Sequence, residues 1–352
     1  LRRLRFQNSD PVQTAKTMAQ FKRWRQERQR KVKHKDYSYV VPNTAPDLTY
    51  IDHNGTEPSV TWIGHSTFLI QHSGLNIVTD PVWAAKMAMN KRMAPPGIEI
   101  TDMPPIDIVL VSHSHYDHLN IASLRRLTGS KLLLVPAGLR AKLRLKGFMR
   151  VKEFHWWESI TVRGVRFTFV PSQHSTRRTP WDMNKSHWGG WIIEPDPEAA
   201  KSAREDKRQQ AAISALAVAK SEQIEAAPSD SPQRPIVGDK PVLYFAGDSG
   251  YFRGFEEIGK RFAIDVTLMP IGAYEPEWFM APQHVCPEEA LQAFLDTGAR
   301  WFVPMHYSSF KLADDTPREA LDRLEKGRCQ LSIDEERLVL LSHGETWRLS
   351  GR

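Results

Sequence analysis

Cysteine is nearly missing. Cys286 and Cys329 are the only two in 352 residues, and neither has C-x-x-C or metal-type spacing. They give no sign of a disulfide framework and no reason to require an oxidising compartment. No apolar run approaches the length of a membrane span, and no secretory h-region is visible. The expected location is the cytoplasm, with a peripheral place at a membrane also open. Acidic residues are scarce near the start. From Lys22 to Lys35 run Lys22, Arg23, Arg25, Arg28, Arg30, Lys31, Lys33 and Lys35 against Glu27 alone, with Phe6, Met18, Phe21 and Trp24 interleaved nearby. That mix suits an anionic membrane surface, aromatics in the interface and bases on headgroups. It suits equally a solvated basic arm packed loosely on a domain. The net charge of +7 points to anionic partners: a phospholipid surface, nucleic acid or a phosphorylated substrate.

What is present is an ordinary globular composition, 41% hydrophobic and 25% charged, arranged around one stretch. Ile106-Asp107-Ile108-Val109-Leu110-Val111 reads as a strand, with Pro104-Pro105 upstream. It runs into Ser112-His113-Ser114-His115-Tyr116-Asp117-His118. Asn120 can cap a following helix that Gly129 closes, with Ile121, Leu124 and Leu127 as its buried stripe. Residues two apart in extended chain project to one side, so His113 and His115 can share an ion, while Asp117 and His118 point to a neighbouring position. Imidazoles and a carboxylate suit zinc or a similar divalent ion; iron and manganese also fit.

Upstream, 60–63, 67–70 and 75–80 form a meander of short strands. Asp80, before Pro81, either supports the ligand loop or caps a turn, and His65 stands at a strand end. Downstream, strand and helix alternate, as an outer helical layer over a sheet requires. The hairpin strand 165–170 runs into His174. Trp181, Trp188 and Trp191 read as packing between layers, with an acyl-chain groove as the alternative. From about Pro195 to Asp239 an Ala/Lys/Glu-rich and then Ser/Pro-rich stretch reads as a solvated insertion. Val242 to Asp248 then forms a buried strand whose flanking Gly247 and Gly250 let the backbone pass tightly. Val266 to Pro270 leads to an aromatic loop, Tyr274 to Met280, and to Gln283-His284. Trp301 to Met305 ends in His306. Strands at 338–341 and 346–349 are expected to finish the second sheet. The domain plan is a basic arm, 1–45, and a catalytic domain, 46–352, with a flexible insertion at 196–240.

The His113-x-His115-x-Asp117-His118 pattern resembles the signature of the metallo-β-lactamase fold, whose members are mostly two-metal hydrolases. Trp62 to Thr67, Phe245 to Gly250, Pro270 to Met280, Gln283 to Val285 and Pro304 to His306 narrow the likeness. Together they are similar to the N-acyl-phosphatidylethanolamine-hydrolysing phospholipase D branch and its bacterial relatives, from about Tyr50 to about Leu349. The resemblance implies a four-layer αββα sandwich and two divalent ions. His113, His115, His174 and Asp248 would form one site, and Asp117, His118, Asp248 and His306 the other, with a hydroxide shared between the ions as nucleophile. It implies a phospholipid substrate cleaved to phosphatidate and N-acylethanolamine. His284, on the active-site face, is the candidate for leaving-group protonation or phosphate contact, and Asp117 joins it among the catalytic groups. Cys286 stands where the branch leads one to expect Asn or Asp.

The same residues admit a small-ester, lactone or thioester hydrolase, a nuclease, and a non-enzymatic metal-binding adaptor at a membrane. The aromatic loop disfavours a small polar substrate, and no RNA-binding module accompanies the basic run. Nucleic acid is therefore not an expected partner; an anionic membrane surface and a second copy of the chain are candidates.

Overall fold

The computed structural model describes residues 5–87, 90–196, 198 and 240–349. Most of the expected insertion at 196–240 lies outside them. Along the chain come β1 (Ser59–Gly64), β2 (Thr67–His72), β3 (Leu75–Thr79), a ribbon of β4 (Lys86–Met87) and β5 (Asn90–Lys91), β6 (Ile108–Leu110), β7 (Leu132–Pro136) and β8 (Val151–Phe154). Then follow β9 (Ser159–Val162), β10 (Val165–Val170), β11 (Gly190–Pro195), β12 (Leu243–Phe245), β13 (Val266–Pro270), β14 (Trp301–Met305) and β15 (Thr346–Arg348). Two sheets result, in the orders β15-β1-β2-β3-β6-β7-β8 and β14-β13-β12-β11-β10-β9.

Strands β6, β13 and β14 are buried along their whole length. Covered on both faces, they need no polar alternation, which is why they read as continuous apolar runs. Trp62, Phe68, Phe167, Phe169, Trp191 and Phe245 belong to the largest core cluster. A second core lies under Leu124, Leu139 and Leu143, which cover Val109 and Leu133 of the first sheet and Val111 just beyond β6. On the second sheet the helices Gly254–Arg261, Pro287–Thr297 and Pro317–Gln330 bury Ile258, Phe294 and Leu324. Helix, sheet, sheet, helix is the four-layer order expected.

The sheet topology puts the chemistry at one end. β3 and β6 are parallel, as are β12, β13 and β14. Two antiparallel steps align β1 with β3, and two more align β10 with β12. The carboxyl ends of β1, β3, β6, β10, β12 and β14 therefore share one edge of the sandwich, and His65, Asp80, His113, His174, Asp248 and His306 each follow one of them.

Several expectations need correction. The signature helix is short, Ile121–Arg126, capped by Asn120 as expected but ending before Gly129. Gly129 instead lies against the backbone of Ile106 at positive φ. Residues 338–341 form no strand beyond a bridge from Leu338 to Phe302. The last strand pairs with β1, so it finishes the first sheet and not the second. Trp188 and Trp191 are core residues, but Trp181 is 79% exposed.

The basic arm is not loosely attached. Its helix, Met18–Lys31, opens with a Thr17/Gln20 capping box. Phe21 and Trp24 set their rings 5.4 and 5.6 Å from Phe279. Arg28 pairs with Asp314 at 3.0 Å, and Lys35 with Glu275 and Glu319.

Candidate metal centre

Ten ionisable side chains converge at the strand ends. His113 Nε2 lies 2.9 Å from His115 Nδ1, and His174 Nε2 lies 3.2 Å from the same nitrogen. A few ångströms on, His118 Nε2 faces His306 Nε2 at 3.2 Å. Asp117 Oδ2 stands 3.4 and 3.5 Å from these two rings. Between the clusters sits Asp248. Its Oδ2 is 3.2 Å from His118 and 3.9 Å from His113, and its Oδ1 is 3.2 Å from His306. All seven residues named by the signature and its resemblance are thus brought together, with Asp248 lying between the two groups.

Does this donor set fit cations? Imidazole nitrogens facing one another across a dry space have too few protons for their lone pairs. Asp248 Oδ1, for all its nearness to His306, is too poorly aligned for a hydrogen bond and is buried without one. Ligands at about 2.0–2.1 Å from a tetrahedral ion stand roughly 3.3 Å apart, close to the spacings seen. His113, His115 and His174 form one candidate group, and Asp117, His118 and His306, with His65, another. The residues fit two divalent cations.

The two halves differ electrically. Burial, then mutual repulsion among imidazoles, drives the His113 and His174 pKa values well down. At His306 burial opposes the charged form too, but Asp248 and Asp117 outweigh it and lift the pKa to about 9. One half is imidazole-rich and the other anion-rich.

Surrounding groups hold the candidate ligands. Asp80 takes the Ser112 N–H at 2.7 Å and its hydroxyl at 2.5 Å, and faces His118 Nδ1 at 2.7 Å. Of its two sequence readings, support of the ligand loop is the one seen. Ser112 Oγ also lies 2.9 Å from His113 Nδ1. His65 reaches Asp117 Oδ2 at 3.1 Å. His65, Asp80 and His306 all adopt positive φ, at 56°, 31° and 66°, a strained backbone that clusters at functional sites. Gly247, at φ 64°, brings the Asp248 turn so close to the ligand loop that a Cβ would stand 2.6 Å from that of Ser112. His284 lies above the centre, Nδ1 3.8 Å from Asp248. Cys286 caps the next helix, its thiol pushed up to about 12 by burial.

Sequence reasoning missed three of these parts. Arg178 donates to the carbonyls of Ser114 and Leu119 at 2.7 and 2.8 Å and so ties the ligand loop. Gln283 gives its carbonyl to His174 Nδ1 at 3.0 Å. Asn8, from the arm, reaches the His174 backbone. No local pattern marks them, since each acts on a residue distant in the chain.

The pattern of a β-lactamase superfamily domain matches residues 75–202 and 213–307, more than half of the chain. The chain belongs to the β-lactamase superfamily. Within that superfamily its relatives include metal-dependent hydrolases. It is 29% identical over 339 residues to N-acyl-phosphatidylethanolamine-hydrolyzing phospholipase D 1 of Caenorhabditis elegans, covering 89% of this chain and 83% of the nematode protein. It is 25% identical to a metal-dependent hydrolase of Methanopyrus kandleri, covering 82% and 98%. The fold is shared with the metallo hydrolase Igni18 of Ignicoccus hospitalis, with a TM-score of 0.57 and 21% identity over 84% of this chain and all of the other. No helix of this superfamily member is long and apolar enough to cross a membrane, among the described residues.

Proposed function

We propose that this hydrolase cleaves a phosphodiester of a phospholipid, with N-acyl-phosphatidylethanolamine as the favoured substrate and N-acylethanolamine and phosphatidate as products. The observation that carries the reading is similarity to the nematode phospholipase over 89% of the chain. The surface supports it. Exposed Tyr116 and Trp181 stand on two of the loops that supply histidines, and exposed Met18 heads the basic helix with Lys22 and Arg25 outward. Apolar and basic groups side by side suit acyl chains and anionic headgroups.

When bound, a pair of divalent cations supplies an ionised water near neutral pH and charge compensation for a phosphate. His113, His115 and His174 would hold one, Asp117, His118 and His306 the other, and Asp248 both. The remaining work falls to the chain. Asp80 fixes the His118 ring and His65 restrains Asp117, so the donors are preorganised. Burial lowers the His284 pKa to about 4, and cations beside it act in the same direction. His284 therefore stays neutral at pH 7 and offers an N–H to a phosphate oxygen, in preference to a stored proton for the leaving group.

The test is mass-spectrometric product analysis on anionic vesicles carrying N-acyl-phosphatidylethanolamine or phosphatidylcholine, with a lactone and an oligonucleotide alongside. N-acylethanolamine should appear, and should vanish in His115→Ala. Turnover of the lactone or the oligonucleotide with both lipids intact would sink the phospholipid reading and leave the metal centre standing.

A further inference from the structure

We infer that the N-terminal segment is a working part of the metal centre, and that Asn8 is the positioning residue through which it holds His174. The inference rests on the reading of His113, His115 and His174 as ligands of one cation.

Residues 5–16 cross the strand-end face without helix or strand, bending at 9–10 and 15. Their burial alternates: Phe6, Asn8, Asp10, Val12, Thr14 and Lys16 turn toward the domain and the residues between them toward solvent. That is a period of two, one side of the segment on the domain and the other in solvent. Besides Asn8, three of these anchors have partners on the domain. The Phe6 ring stacks on His187 at 4.4 Å, Asp10 pairs with Arg253 at 3.0 Å, and the Thr14 carbonyl accepts from Gln283 Nε2 at 3.0 Å.

Two of the contacts converge on His174. Asn8 Oδ1 accepts the His174 backbone N–H at 3.0 Å and the Trp188 indole N–H at 3.0 Å. Two donors on one atom settle which end of the amide is oxygen. At the other end of His174, ring Nδ1 faces the Gln283 carbonyl at 3.0 Å, and Gln283 is the residue that Thr14 holds. The segment thus grips this ligand's backbone directly and its ring through Gln283. His113 and His115 depend on their own loop and on Ser112; His118 and His306 depend on Asp80 and β14. Among the described residues, only the imidazole-rich half has a candidate ligand secured from the arm. Outer partners that orient a ligand typically carry about 10–100-fold in metal affinity.

The experiment titrates full-length metal-free protein with Zn2+ and reads the affinity of each ion, with thermal melting of the metal-free form alongside. Wild type, Asn8→Ala, Asn8→Leu, Asn8→Asp and His174→Ala are compared. Asn8→Ala should weaken one ion by about 10–100-fold, the ion that His174→Ala removes, and leave the other unchanged. Asn8→Leu, which also keeps water from replacing the lost acceptor, should weaken it at least as much. Asn8→Asp keeps an acceptor oxygen and should restore it. The inference is overturned if both Asn8→Ala and Asn8→Leu bind both ions like wild type. It is equally overturned if the ions weaken together in step with a lower melting point, which is the mark of a merely structural residue. Wild type that binds no ion dependent on His174 would overturn the centre itself.

Discussion

Asp248→Asn is expected to abolish hydrolysis, by at least about 10³-fold in kcat, and to cost the protein both ions after dialysis. The residue is 2% exposed and stands within 3.2–3.9 Å of three imidazoles drawn from both halves of the centre. Asn has nearly the same shape but brings no charge and one oxygen fewer. Groups that only orient a ligand are worth about 10–100-fold, so a carboxylate shared by two cations should be worth more. Steady-state kinetics and metal analysis by mass spectrometry read the two effects separately. Retained metal with lost turnover would reassign Asp248 from holding the ions to acting on substrate.

Asp80 should matter nearly as much without touching substrate or ion. It is fully buried and satisfies three donors or ring nitrogens at 2.5–2.7 Å. Asp80→Ala leaves the Ser112 N–H and His118 Nδ1 unpartnered in a dry site, at a cost of about 3–5 kcal/mol. A lower thermal midpoint in the metal-free protein reads that loss. Asp80→Asn is the sharper variant. It presents an amide N–H to the Nδ1–H of His118, so the ring must turn and the anion-rich half should bind its ion about 10–100-fold more weakly. Unchanged affinity in Asp80→Asn would show that Asp80 only caps the turn before Pro81.

Much of this was legible in the sequence because ligands of this fold sit where strands stop. An apolar run ending in His or Asp is a local pattern, and His113, His174, Asp248 and His306 all show it. The signature at 113–118 then gives the spacing. Asp80 was half-legible: its place before Pro81 was visible, but its choice between a turn and His118 depends on a residue 38 positions away. Asn8 was not legible at all, since nothing at position 8 announces a bond to position 174. The placement of β15 failed for the same reason. Which sheet an edge strand joins is set by long-range pairing, here Val60 with Trp347, and leaves no trace in the strand's own periodicity. The arm's composition suggested a membrane or a loose tail, because charge is visible in sequence and the packing of Phe21 and Trp24 on Phe279 is not.

Four strand ends, those of β6, β10, β12 and β14, are proposed to place seven side chains around two adjacent cations. Anomalous diffraction from crystals of the metal-loaded protein tests that placement directly. The prediction is two peaks roughly 3.5–4 Å apart, one among His113, His115 and His174, the other among Asp117, His118 and His306, with Asp248 between them. A single peak, or metal bound away from these residues, would contradict it.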